Sequence, residues 1–150
     1  MTPHLLSEIS AIASFVTAIG VFFAVLQLRL TKQQAVTTFE DTIAHEYRDL
    51  STRIPKKAFL GEELSDDEYA SSIREFFHYI DLSNEEVFLR KIGRVRCKTW
   101  TFWRDGIKSN LRRPAFKRAW DDISGKVPND FKELRDLILS DYKDDPRDWS

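Results

Sequence analysis

Residues 9–28 form a run of twenty positions without a formal charge, rich in Ile, Val, Phe, Leu and Ala. Ser10, Ser14, Thr17 and Gln27 are its clearly polar members. At about 1.5 Å per residue, a helix of this length matches the roughly 30 Å hydrocarbon core of a bilayer. Lipid offers no water to unpaired backbone groups, so the segment must be helical there, and its apolar side chains fall all round rather than on one stripe. The sequence therefore predicts a transmembrane anchor over 1–30. A wholly buried core helix of a soluble protein is the competing reading. A cleavable signal peptide fits less well, because no Lys or Arg precedes Arg29 and the apolar run exceeds the core of such a peptide.

Residues 1–8 lack Lys and Arg, whereas Arg29, Lys32 and Arg48 follow the run. The positive-inside rule then places the N-terminus outside and the C-terminal domain in the cytoplasm. The single cysteine, Cys97, excludes an internal disulfide framework and fits a reducing compartment. Ala13, Thr17, Gly20 and Ala24 recur at four-three-four spacing on one face of the anchor, where small side chains let two helices approach. That face is the expected contact of a homo-oligomer, although Gly and Ala are also common in spanning helices for other reasons.

Beyond the anchor the pattern is helical throughout. Val36, Phe39, Ile43, Tyr47, Leu50 and Ile54 form a stripe at three- and four-residue spacing, so the anchor continues into an amphipathic helix over 31–55 that stops before Pro55. Residues 56–67 read as a polar connection. Ser65 with Glu68 is a capping box that starts a helix near Asp66. Ser83 with Glu86 reads as a second box starting a short helix that Gly93 ends. Trp100, Trp103, Ile107 and Leu111 mark the next helix. Pro114 opens another through Phe116, Ala119, Trp120 and Ile123 to about Gly125. Phe131, Leu134, Leu137 and Ile138 mark the last. The expected fold is all-α, with one transmembrane helix, the long amphipathic helix and a small bundle over 65–142 with an unusually aromatic core. The acidic tail, 143–150, is expected to fray.

Motifs for chemistry are sparse. Glu75 and His78 have the spacing found in dinuclear carboxylate bundles, but such a site needs two copies and this chain has one. His45 and Glu46 begin like a zinc-protease motif, yet Asp49 stands where the second histidine must fall. Arg74 and His78 lie too close together for the arginine–histidine motif of metal-independent helical RNases. Cys97 has no histidine near it in sequence and reads as a partly buried structural thiol. No cofactor or metal is implied, and the chain reads as non-enzymatic.

The charge distribution is the unusual feature. Residues 90–118 hold eleven Lys and Arg against Asp105 alone, a local charge of +10, while the remainder carries −11. Arg94, Arg96, Lys98, Arg104, Lys108, Arg112, Arg113, Lys117 and Arg118 are the candidate contacts to an anionic partner. Phe102 and the two tryptophans interleave with them. Lys and Arg meet phosphates and aromatic faces stack on bases, so RNA, a nucleotide or anionic lipid would suit this composition. The alternative is a solvated face neutralised by acidic runs such as 62–68.

The stretch 77–86 reads Phe77, His78, Tyr79, Ile80, Asp81, Leu82, Ser83, Asn84, Glu85, Glu86 and is followed by Thr99, Trp100, Trp103, Gly106 and Ile107. This pattern resembles a family of small bacterial single-span membrane proteins with a C-terminal helical domain of unknown function. The resemblance covers most of the chain beyond about residue 9. It implies the bacterial inner membrane, and it implies no active site. In that pattern 82–86 reads as a helix-to-helix turn and the tryptophans as core. In general plan the chain also looks like single-span accessory proteins encoded beside CRISPR and other antiphage systems, some of which form pores. Two functional expectations follow. One is a self-associating membrane protein that presents a basic face to an anionic or protein partner. The other is an oligomeric pore-forming or membrane-perturbing effector of antiphage defence.

Overall fold

A computed structural model describes the backbone of residues 3–149 and, from residue 15 onward, their side chains. It is all-α, with six α-helices and one 3-10 turn among the described residues. The chain divides into two compact units, 1–39 and 40–150.

The described part of the first unit, 3–39, is helical and belongs to α1 (Pro3–Arg53). The described part of α1 is long and apolar enough to cross a membrane. Every residue from 15 to 30 is exposed, including Phe15, Phe22 and Phe23 at more than 60 %. These side chains are not buried in the structure. Residues 9–14 of the apolar run, and with them the side chain of Ala13, lie outside the described side chains.

The second unit begins within α1 at Glu40 and continues through α2 (Lys56–Phe59), α3 (Asp66–Lys91), α4 (Cys97–Leu111), α5 (Pro114–Lys126), α6 (Lys132–Leu139) and a 3-10 turn (Pro146–Asp148). Ile43, Leu50 and Ile54 of the anticipated stripe are buried, and α1 ends at Arg53, two residues before the proline. The short α2 fills part of the segment expected to be an irregular connection.

The spine is α3. It packs against α4, α5, α6 and the 3-10 turn. The Ser65 hydroxyl accepts from the Glu68 N–H while the Glu68 carboxylate accepts from the Ser65 N–H, so the first capping box is formed. The second is not. Ser83 and Glu86 lie inside α3, both buried, and the helix runs 26 residues without interruption. Residues 66–91 contain no Gly or Pro, and Leu82, Val87 and Leu89 must stay helical to reach the core, so tertiary burial overrides the local signal. The helix-to-helix turn implied at 82–86 is likewise absent. Gly93 does end a helix, but it ends α3. At φ +75° it sends its N–H to the Arg90 carbonyl, and Arg94 bonds back to Leu89, the paired bonds of a Schellman cap.

Phe116 of α5 centres the aromatic core. Its ring lies 4.8 Å from Tyr79, 5.2 Å from Phe76 and 5.2 Å from Phe59, edge-on or tilted to each, as ring quadrupoles favour. Trp100 is buried too, and its indole Nε1 has no hydrogen-bond partner among the described residues.

Two helices borrow their N-caps from neighbours. Arg96 precedes α4 and supplies no side-chain cap. Instead the buried Glu40 carboxylate accepts from the Arg96 N–H at 2.8 Å and from the Thr99 hydroxyl at 2.9 Å, and it also pairs with the Arg96 guanidinium. Burial works against the charge of Glu40, but the bonds from Arg96 and Thr99 outweigh it and hold the carboxyl below its ordinary range. Asn84 of α3 does the same for α6, accepting from the Leu134 N–H at 3.0 Å.

The acidic tail does not fray. Arg90 is buried, and its guanidinium takes both carboxylate oxygens of Asp145 while donating to the Val95 carbonyl at 2.9 Å. A buried guanidinium left alone would be costly, so α3 secures the tail, and Pro146 packs into the core beside it. Replacing Asp145 with Ala should destabilise the full-length chain in detergent micelles by about 2 kcal/mol in urea unfolding, because it strands Arg90. Adding Arg90→Met should recover most of that loss, since the stranded charge is then gone.

Candidate functional site

The basic segment does not fold into one basic face. Arg96 is paired with Glu40, Arg104 with Asp105, Arg112 with Asp141, Lys117 with Asp121 and Arg118 with Asp66. Arg118 also lies over the Tyr69 ring at 4.0 Å, on a surface shared with Glu63 and Pro114. Arg113 donates to the Asn110 side chain. Arg94 and Lys98 are exposed and make no ion pair among the described residues.

Lys108, Arg112 and Arg113 are brought together, around an open depression that Asp105 and Ser109 also line. Asp141 stands beside this trio. The charge of Lys108 first, then Lys143 and Arg112, holds its carboxyl below the usual range. The nine candidate cations are thus distributed over several surfaces, with one group of three.

Among the described residues no three His, Cys, Asp or Glu side chains assemble as metal ligands. Glu75 is buried and turned to Arg74, whereas His78 and His45 are exposed. Cys97, expected to be partly buried, is exposed in the first turn of α4, because it precedes the stripe that Trp100 and Trp103 turn into the core.

A better-formed concavity lies between the 40–53 stretch of α1, α3 and α4. It encloses about 290 Å³, and its walls include Tyr47, Tyr79, Phe102, Trp103, Ile107 and Leu82. Asn110, buried behind it, donates to the hydroxyls of Tyr79 at 3.1 Å and Tyr47 at 3.3 Å, fixing both rings. Burial raises the Tyr79 phenol far above its ordinary value, so it stays neutral. Glu86 also lines the pocket. It is 5 % exposed and forms neither a hydrogen bond nor an ion pair among the described residues. Desolvation, and secondly the neighbouring Glu85, push its carboxyl up to about 8.

Sequence reasoning missed Glu86 by reading it as a cap. The available signal was an acid placed four residues after Leu82 and three before Leu89, on the face that must be buried. Glu40, set between Val36 and Ile43, carried the same signal.

Among the described residues the fold is all-α, with one helix long and apolar enough to cross a membrane. No family model, no curated protein and no solved structure matches the chain.

Glu86 gives the domain a pH dependence. An unfolded chain releases this proton near the ordinary glutamate value of 4.5, the folded chain only near 8. The raised value means that the stability held below 4.5 is lost as pH rises through that interval. Glu86→Gln should therefore be the more stable protein at pH 8, by about 2 kcal/mol, with the gap closing toward pH 5. Urea titrations of both full-length chains in micelles, run across that range, check the sign.

Proposed function

We propose that this chain is a single-span protein of the bacterial inner membrane that acts by assembly and binding rather than by turnover. The observation that carries the reading is the uncovered apolar stretch 15–30 of α1, which needs lipid or another helix around it. Arg29, Lys32 and Arg48 follow that stretch, which favours a cytoplasmic location for the domain 40–150.

Self-association proceeds through the small-residue face. Thr17, Gly20 and Ala24 are exposed, and a side chain added at Gly20 would meet nothing within 4 Å in a single chain. Any loss on enlarging Gly20 then reports a neighbouring helix. The partner of the domain is anionic and carries phosphate, and it is met by Lys108, Arg112 and Arg113 rather than by the whole basic segment.

Deleting residues 1–28 should move the protein from the membrane to the soluble fraction, and a reporter fused after Ser150 should read as cytoplasmic. Gly20→Leu should weaken the oligomer in sedimentation experiments in detergent, by about tenfold in dissociation constant. The pair Lys108→Gln and Arg112→Gln should reduce binding to anionic vesicles or RNA, with an attraction that salt screens within about 8 Å at physiological ionic strength. A full-length chain that stays soluble without detergent would sink the anchor. Ion leakage on expression, abolished by Gly20→Leu, would instead mark a pore-forming effector.

A further inference from the structure

We propose that the pocket between α1, α3 and α4 is a binding site for a small organic cation, whose charged group meets Glu86 and whose apolar body lies against Tyr47, Phe102 and Trp103.

A glutamate that is only 5 % exposed as a residue normally has a partner, yet Glu86 has none among the described residues and opens onto the pocket instead. The other buried charged side chains of the domain are paired, Glu40 with Arg96, Arg90 with Asp145 and Glu75 with Arg74. Glu86 stands out against that background, and it lines a cavity rather than a packed interior.

The shape and chemistry of the walls specify the ligand. A space of about 290 Å³ admits a group the size of one aromatic ring with a short chain. Aromatic faces around a carboxylate attract a cation twice, through the ring quadrupoles and through the negative charge. Asn110 fixes the two tyrosines from behind, so the cage is ordered before any ligand arrives. Phe102, 79 % exposed, stands at the mouth, where it can cover a ligand's apolar end.

The surrounding charges narrow the class. From α1, Arg48 lines the pocket and makes no ion pair with Glu86, while Glu46 bears on Glu85. From α3, Glu85 adds negative charge close to Glu86. The α4 lining of Phe102, Trp103, Gly106 and Ile107 is not ionisable, with Arg104 and Asp105 paired to each other alongside. Arg48 repels a polycation, whereas a single deep charge meets only the carboxylate. The class is therefore an apolar monocation, an ammonium or guanidinium on a body of one ring.

The test uses the full-length chain in detergent micelles and phenethyltrimethylammonium, a probe whose charge does not titrate, followed by calorimetry. The wild type should bind it saturably, and about tenfold more tightly than the uncharged 2-phenylethanol. Affinity should rise between pH 6 and pH 9 as Glu86 ionises, since the probe's charge is constant. Glu86→Gln should lose about tenfold in affinity together with that pH dependence. Gly106→Leu supplies an independent arm: the added side chain meets no atom within 4 Å at its Cβ and extends from the α4 wall, leaving Glu86 in place. It should abolish binding with unchanged helicity. No saturable binding by the wild type, equal affinity for the cation and the alcohol, or full affinity in either variant would each overturn the proposal.

Discussion

The second unit depends on one constraint, that α3 carries apolar side chains on too much of its circumference for any single partner to cover. Phe76, Tyr79, Ile80, Leu82, Val87 and Leu89 are all buried, and together they face several directions around a 26-residue helix. Covering each Leu, Ile, Val or Phe is worth about 1.5–3 kcal/mol, so the free energy is lowest when α4, α5, α6 and the 3-10 turn all pack on it. The same demand keeps residues 82–86 helical against a local capping signal. Interrupting α3 there would rotate Val87 and Leu89 out of the core. The apolar stretch 15–30 of α1 stands under the opposite condition, since its side chains are uncovered.

Once neighbours pack around a spine, their ends come close enough to share polar groups. Neither α4 nor α6 has a side-chain cap of its own, and Glu40 and Asn84 supply the caps across gaps of 56 and 50 residues in sequence. Arg135 does the corresponding work at the C-terminal end of α5, donating to the carbonyls of Ser124 and Val127. These bonds couple the placement of helices to the closure of their ends. A cap on the same helix stabilises it wherever it lies, whereas a cap on another helix stabilises it only when the two are docked.

That coupling explains which parts of the structure could be read from the sequence. The starts of α3 and α5, the end of α1 before Pro55, the stop at Gly93 and the core tryptophans rest on local rules, and each was legible. The continuity of α3 through Ser83 and Glu86 was not, because a capping box and a buried polar pair look identical in one dimension. The tail was misread for a related reason. Asp145 gains its role from Arg90, 55 residues away, and nothing in the local composition of 143–150 tells a frayed acidic end from one bound to a buried guanidinium. For the candidate site, the individual cations were legible but their grouping was not. Lys108, Arg112 and Arg113 share one depression, whereas Arg96, Arg104, Lys117 and Arg118 are drawn to acids and Arg94 and Lys98 stand exposed without an ion pair among the described residues.

The linear charge asymmetry therefore has an architectural explanation before a functional one. A segment of +10 in a chain of net charge −1 must find its complement elsewhere in the same chain. Here it does so through Glu40, Asp66, Asp121, Asp141 and Asp145, which come from the acidic remainder. The exposed members of that set contribute little to stability individually. The two pairs with one buried member, Arg90 with Asp145 and Glu40 with Arg96, set the tail and the start of α4. Once charge has been matched in this way, a single buried acid without a counter-charge becomes more informative than a surplus of exposed bases. A surplus on the surface is solvated at small cost, while a desolvated carboxylate without a partner lowers stability unless the proton it retains, or a ligand it awaits, compensates. Glu86 is that acid, and it lines the one pocket described here whose walls are largely aromatic and aliphatic.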